Sequence, residues 1–370
     1  MNALKHADFG NLPRCVEDVF SQAGNDTFFL LPQWFELIAD CQVDGKRRTL
    51  NVAFDESAAI AMVYAKSAND IRSFTNLYTC VYDILGKDGG NGAIRRFAAE
   101  FAHEMPRGAR IQLEGIDRAS PSFDGLLGGF RSAGYLAKPY FAWGTWYERT
   151  AGLNFDDFVE TRPSVLRHTW ARKRAALEKA SRSRFRIYRD GDDVGAYIAA
   201  YEDVHRRSWK DAEPCLGFIP NLVRLAADCN ALRFGILDID GVAAAAQFWI
   251  VWGGKATVYK LAYAEDMSAF SPGTVLTMEM FRHVLENDHP SEIDFGRGDD
   301  RYKKLWLTSR REHWGIEAVS PLTLRGLADA AWLVMGLGRD FLRQRLGNTK
   351  RVSVVSRRMS SVPRAQYSPE

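Results

Sequence analysis

The chain has little of what marks a metalloprotein, a disulfide-bonded secreted domain or a membrane protein. Its five cysteines, Cys15, Cys41, Cys80, Cys215 and Cys229, are odd in number, widely spaced and without a C-x-x-C pair. Neither a disulfide framework nor a thiolate zinc site fits that pattern, and a reducing cytoplasm does. Seven histidines include no H-E-x-x-H, and His283 and His289 stand off one helical face, so no metal is expected. The longest apolar run, 330–337, falls far short of the roughly 20 residues that span a bilayer. Lys5, His6 and Asp8 interrupt the start of the chain where an export signal needs an apolar core. Nor does one sign of charge dominate, the net value being +3.

That small excess is unevenly placed. From Arg339 onward eight basic residues face only Asp340 and Glu370, so this tail carries +6 and the body −3. The basic isoelectric point therefore belongs to the tail and does not mark the body as a nucleic-acid binder. Ten tryptophans lift the aromatic share to 12%, which calls for large buried ring clusters.

A length of 370 residues predicts more than one domain. Residues 1–26 read as a loosely attached leader broken by Pro13 and Gly24. Over 27–151 the periodicities predict a helix at 28–39, strands at 51–54 and 58–65, and an aromatic-rich loop at 73–85. Helices at 93–104 and 123–133 then flank a strand at 110–113, and a strand follows at 140–147. Over 152–320 the order repeats. A long helix enters through Pro163, and a strand at 184–188 and helices at 194–209 and 220–227 follow. A hairpin turns on Asp240-Gly241, and strand, helix and strand complete the half. The class is α/β with a mixed sheet, built from a duplicated unit with its boundary near Gly152. Residues 321–350 are expected to form an amphipathic helical segment packed on the body, or an interfacial helix, and 351–370 a basic, disordered tail, which on the second reading is a peripheral contact for an anionic membrane.

The most informative stretch is 257–306. A strand feeds a helix through Ser271-Pro272-Gly273-Thr274, and the unpaired N–H groups of that helix start favour an anion. The returning strand carries Asp294 to its end, beside a loop with Asp299, Asp300, Tyr302 and Lys303. Upstream, 162–189 holds ten basic residues against Glu178 alone. Leu166, Trp170 and Leu177 turn inward on that helix, and Arg167 and Arg174 share an outer flank, as a solvated basic face or as an anion contact.

These residues resemble the GNAT acyltransferase superfamily, in its Fem-like branch that includes the cellulose-biosynthesis-type acetyltransferases. The resemblance rests on Y-x-x-x-x-x-x-x-S-P-G-T-x-L at 263–276, I-D-F-G-R-G-D-D at 293–300 and Y-K-x-x-W at 302–306. R-P-S-x-L-R-x-T-x-x-R-K at 162–173 and A-A-A-A-Q-F-W at 243–249 add to it. It implies two tandem GNAT-like domains, with acetyl-CoA or another acyl-CoA as donor and an amine or hydroxyl of a small molecule or saccharide as acceptor. Only Gly273 stands where many relatives carry a longer glycine loop for the CoA pyrophosphate, and Fem-type relatives take an aminoacyl group from charged tRNA instead. A non-catalytic scaffold docked on a membrane through its tail is the reading from another class.

Acyl transfer needs a donor seat, a base for the acceptor proton and an acid for the leaving group. Ser271, Gly273 and Thr274 are the expected seat, or a plain helix cap. Asp294 is the expected base, or the salt-bridge partner of Lys260. Tyr302 is the expected acid, or half-buried packing. Lys303, the lysine matched by the resemblance, is expected to bind a phosphate or carbonyl. Arg167, Arg174, Trp209, Lys260 and Asp299 are expected on the substrate side.

Overall fold

The computed structural model describes residues 4–41, 49–86, 90–179, 183–188, 192–324, 326–328 and 330–331. The chain opens with β1 (Lys5–Asp8), α1 (Arg14–Asp26) and α2 (Pro32–Asp40). A meander of β2 (Leu50–Asp55), β3 (Ile60–Ser67) and β4 (Asp70–Ser73) follows. Then come α3 (Gly90–Glu104), β5 (Arg110–Asp117), α4 (Pro121–Ser132) and β6 (Leu136–Arg149). The next part adds α5 (Phe155–Glu160), α6 (Ser164–Lys179), β7 (Ser183–Ile187), α7 (Val194–Arg206) and α8 (Phe218–Asp228). It closes with β8 (Leu232–Ile239), β9 (Val242–Trp252), β10 (Lys255–Tyr263), α9 (Pro272–Asn287), β11 (Glu292–Asp294) and β12 (Ser309–Val319).

Local chemistry accounts for many boundaries. Asp240 and Gly241 both take positive φ, 54° and 79°, which the two-residue hairpin between β8 and β9 requires. Ser120 caps α4 by accepting from Ser122 N, with Pro121 in the first turn. Helix α7 stops at Arg206, short of the expected 209, so Trp209 and Lys210 lie in the loop beyond it.

The strands form one twelve-stranded mixed sheet in the order β1-β2-β3-β4-β5-β12-β6-β11-β10-β9-β8-β7. Two features depart from expectation. Residues 1–26 are not a loose leader: β1 pairs with β2 from Lys5↔Phe54 to Asp8↔Asn51, and Val16, Val19 and Phe20 of α1 are buried. More consequentially, β12 does not lie beside the strands that precede it in the chain. It inserts between β5 and β6, antiparallel to both, from Ser309↔Tyr147 to Val319↔Leu136 on one side. The expected boundary near Gly152 is thus crossed by the sheet, since β6 also pairs with β11.

Two buried clusters support the sheet. The larger gathers rings from α1, α2, α3, α7 and α8, and the smaller packs Phe155, Phe158, Leu166 and Leu177 with α9 beneath β8 to β11. Leu166 and Leu177 are buried and Trp170 packs against the smaller cluster, as the spacing on α6 predicts. Among the described residues no helix is long and apolar enough to cross a membrane. Most of the expected segment at 321–350, and all of 351–370, lies outside the described residues.

Candidate active site

The site begins where two parallel strands part. β10 and β11 pair only over Lys255–Thr257 with Glu292–Asp294. Beyond that point β10 runs on to Tyr263 beside β9, with a register shift between Val258 and Lys260 that marks Tyr259 as a bulge. β11 instead gives way to the 295–300 loop. The fork leaves one edge of β10 without a strand, and Lys210 Nζ donates to its Leu261 carbonyl. A cleft of about 210 Å³ opens in the fork, with Lys210, Lys260, Arg297, Asp300 and Tyr302 on its rim and Tyr78, Cys80 and Tyr259 in its wall.

Helix α9 follows β10, and none of its residues lines the cleft. Its preceding residue Ser271 sits in the left-handed region, φ 50° and ψ 48°, and its side chain caps nothing. The Ser271 amide donates to Ser268 O at 2.9 Å, so it is not part of an anion seat, contrary to expectation. Pro272 has no N–H. The amides of Gly273 and Thr274 make no hydrogen bond among the described residues and head the helix dipole. Gly273 is required by Tyr263: a Cβ there would stand 2.9 Å from the ring. Trp209, 44% exposed, tilts against Tyr263 at 4.4 Å and extends the same wall. From the basic helix Lys173 donates to Ala269 O at 2.5 Å, just before Ser271.

The amines of the cleft differ in what is left of them. Lys303 is buried, and its Nζ meets the carbonyls of Phe295, Arg297 and Gly298 at 3.2, 3.1 and 3.2 Å and Asp300 Oδ2 at 3.2 Å. Its three N–H groups are consumed in closing the loop, which leaves none for a phosphate or carbonyl. Lys260 pairs with Glu213 at 2.6 Å, not with Asp294, and lies 5.0 Å over the Tyr78 ring. Glu213 also accepts from Tyr78 at 2.8 Å. Burial works to raise that carboxyl, and Lys260 with Tyr78 outweighs it. Lys210 is brought down to about 8 by burial, with Lys260 adding to the effect. Tyr302 is 38% exposed and meets Phe295 edge-on at 6.2 Å.

Two more of the expected substrate residues have structural partners, and a third lies away from both spaces. Asp299 accepts from Trp146 Nε1 at 2.8 Å and from Arg310 at 2.9 and 2.7 Å, and those arginine bonds hold its carboxyl below the usual range. Arg174 faces Glu178 at 2.9 Å and Glu279 of α9 at 3.5 Å. Arg167 borders neither the cleft nor the chamber described next.

Asp294 faces a different space. Ile293 and Phe295 point into the smaller core cluster, and the strand's alternation turns Asp294 the other way. Its Oδ1 accepts from Gly296 N at 2.7 Å and its Oδ2 from Thr257 Oγ1 at 3.2 Å, and burial raises its pKa. It borders a chamber of about 440 Å³. The last paired residues, Thr257 and Asp294, line the chamber, and the next ones, Val258 and Phe295, line the cleft. The groups expected to form one site are therefore divided between two spaces that share no lining residue. Sequence reasoning missed Glu213, Arg297, Arg311 and His313 as site residues. The odd G-R-G at 296–298 was one available signal: Arg297 stacks on Trp143 at 3.9 Å and ties the loop to Asn76 O.

Comparison with known proteins places this geometry. Residues 164–304 match the family described as Acetyltransferase (GNAT) domain. Among solved structures the chain is similar to FemX, at 12% identity and TM-score 0.54, over 85% of this chain and 97% of that one. It is similar to a C-terminal DUF2156 domain from Agrobacterium fabrum at 14% identity and TM-score 0.52, over 86% and 96%. L-PGS from Bacillus licheniformis follows at 11% and 0.50, over 89% and 97%. At these identities the likeness is one of fold. No protein of curated function matches in sequence.

Proposed function

We propose, from the match of residues 164–304 to the GNAT domain family, that this chain transfers an acetyl or longer acyl group from CoA to an amine by direct attack. The fork between β10 and β11 carries the reading. An extended, amide-bearing donor arm fits an unpaired strand edge, where main-chain groups give affinity without a dedicated side chain. Its phosphates fit the free amides of Gly273 and Thr274, with Lys173 of α6 held at Ala269 O close before them in the chain. The thioester then lies in the cleft between Tyr259 and Tyr302.

The residues divide the work as follows. The acceptor nitrogen forms a bond to the thioester carbonyl carbon as the C–S bond breaks. Asp294, made more basic by burial, takes a proton from the acceptor nitrogen. Tyr302 gives one to the departing sulfur and regains it from solvent. Lys210 and Lys260 supply positive potential in a partly dry cleft. Cys80 is no relay, because burial pushes its thiol up to about 12 and keeps it protonated. On this reading residues 27–151 and 152–320 are the two tandem domains, with the donor held by the second, in the cytoplasm.

Thermal unfolding of the full chain with acetyl-CoA, longer acyl-CoAs and free CoA tests the donor. At 100 times the dissociation constant the ligand adds about 2.7 kcal/mol, a readily measured rise in melting temperature. No shift with any of them at millimolar concentration overturns the reading. A second reading, aminoacyl transfer from charged tRNA, rests on the exposed basic face of α6 and requires RNA binding that falls steeply with salt.

A further inference from the structure

Four cations line the cleft in the fork, Lys210, Lys260, Arg297 and Lys303. The fold itself supplies a carboxylate to three of them. Lys260 pairs with Glu213 at 2.6 Å, Lys303 with Asp300 at 3.2 Å and Arg297 with Glu114 at 3.3 Å. Lys210 differs. Among the described residues no carboxylate pairs with it, and the bond its ammonium makes is to the Leu261 carbonyl. Glu213 and Asp300 act on it through space, but both are engaged, Glu213 also accepting from Tyr78 at 2.8 Å. An ammonium has three N–H groups, so this one bond leaves two for the cleft it lines. The cleft therefore carries one positive charge more than its fold neutralises.

That charge is held in place. The Lys210 main-chain N–H donates to Ser208 Oγ at 3.3 Å, and three residues on Glu213 ties the same loop to Lys260 of β10. Burial and the neighbouring Lys260 work against the ammonium and bring Lys210 down to about 8, which still leaves it protonated at neutral pH. An uncharged occupant would strip further water from it and return nothing. A carboxylate returns an opposite charge and two acceptor oxygens. The space is short: about 210 Å³ is below the roughly 300 Å³ at which sites for drug-sized ligands begin. Its wall suits a few methylene groups, with the rings of Tyr78, Tyr259 and Phe295, and Tyr259 is fixed by donating to Tyr78 O at 2.8 Å.

We infer that the cleft is a carboxylate seat, with Lys210 as the direct contact and Lys260 behind it, and that the acyl group carried by the donor ends in a carboxylate, as in a short dicarboxylic acid bound at one end. With the thioester between Tyr259 and Tyr302, the acyl chain is the part of the donor that meets Lys210. Giving the carboxylate to the acyl group rests on the CoA-dependent reading; the seat does not.

Calorimetric binding to the full chain should compare S-(3-carboxypropyl)-CoA with S-(4-amino-4-oxobutyl)-CoA, stable thioethers that end in a carboxylate and in its neutral carboxamide. The acid should bind at least about tenfold tighter, a preference that Lys210→Met abolishes and Lys210→Arg retains. Equal affinities in the wild type, or a preference that survives Lys210→Met, overturn the inference and leave the donor reading standing. Should the variants misfold, the wild-type ratio still decides. A second pair without CoA, 4-aminobutanoate against 4-aminobutanamide, separates the two reactants. Equal thioethers with a Lys210-dependent preference for the free acid move the carboxylate to the acceptor and overturn the acyl assignment. If neither thioether nor free CoA binds, the donor reading fails, and the second pair alone decides the seat: a Lys210-dependent preference for the acid upholds it, and equal binding removes it.

Discussion

Two lysines with the same side chain have opposite uses in this cleft, and the difference lies in what surrounds each ammonium. Lys303 spends its hydrogens on three carbonyls and Asp300, which fixes the loop after β11. Lys210 is desolvated beside Lys260 and sits at about 8, against an ordinary 10.5. Between those values the folded chain binds fewer protons than the unfolded one, so this group makes stability rise with pH across that window. Lys210→Met lacks the buried charge. Its melting temperature relative to wild type should therefore be highest near pH 7 and should decline as pH approaches 10, followed by calorimetry; a difference that stays flat would mean an ordinary amine. The motif at 302–306 singled out Lys303 in the sequence but not its part in closing the loop. Lys210 has no such motif, because its environment is assembled from Tyr78, Glu213 and Lys260, three segments with no common pattern.

At the scale of elements, strand, turn and helix around Ser271 follow from composition alone. What the residues do not announce is that Ser271 takes a left-handed conformation and spends its amide on Ser268, or that β10 bulges at Tyr259 and leaves β11. Both depend on packing: the Tyr259 ring lies 6.0 Å from Phe29, in a short helical turn far away in sequence, and 5.6 Å from Phe248 on the neighbouring strand β9. The helix start is also sterically tight. In Gly273→Ala the new methyl meets the Tyr263 ring at 2.9 Å and disturbs the Trp209 wall. Donor affinity measured by calorimetry should fall about tenfold, at the modest stability cost usual for overpacking at an exposed helix end. Unchanged affinity would place the donor phosphates elsewhere.

For the whole molecule, the repeated element order was legible and the weave was not. Alternation predicts a strand but says nothing about its partners, so the insertion of β12 between β5 and β6 had no signature. The same holds for β1, whose four residues dock on β2 and bring α1 into the core. Sheet pairing makes a sharp prediction about truncation. Ending the chain after Ser320 leaves all twelve strands in place and should give a folded monomeric or oligomeric species by circular dichroism and gel filtration. Ending it after Thr308 removes β12 and strips partners from both β5 and β6, and should yield aggregate. A soluble, cooperatively melting product from the shorter chain would contradict the topology.

The position of β12 also sets a schedule. A ribosome releases β6 some 160 residues before β12 begins, which at 5–20 residues per second is a wait of roughly 10–30 s with two strand edges unsatisfied. Arg311 and His313 travel on that final strand. The chamber is thus among the last parts to be completed, and an interrupted translation product carries the fork between β10 and β11 without one wall of that chamber.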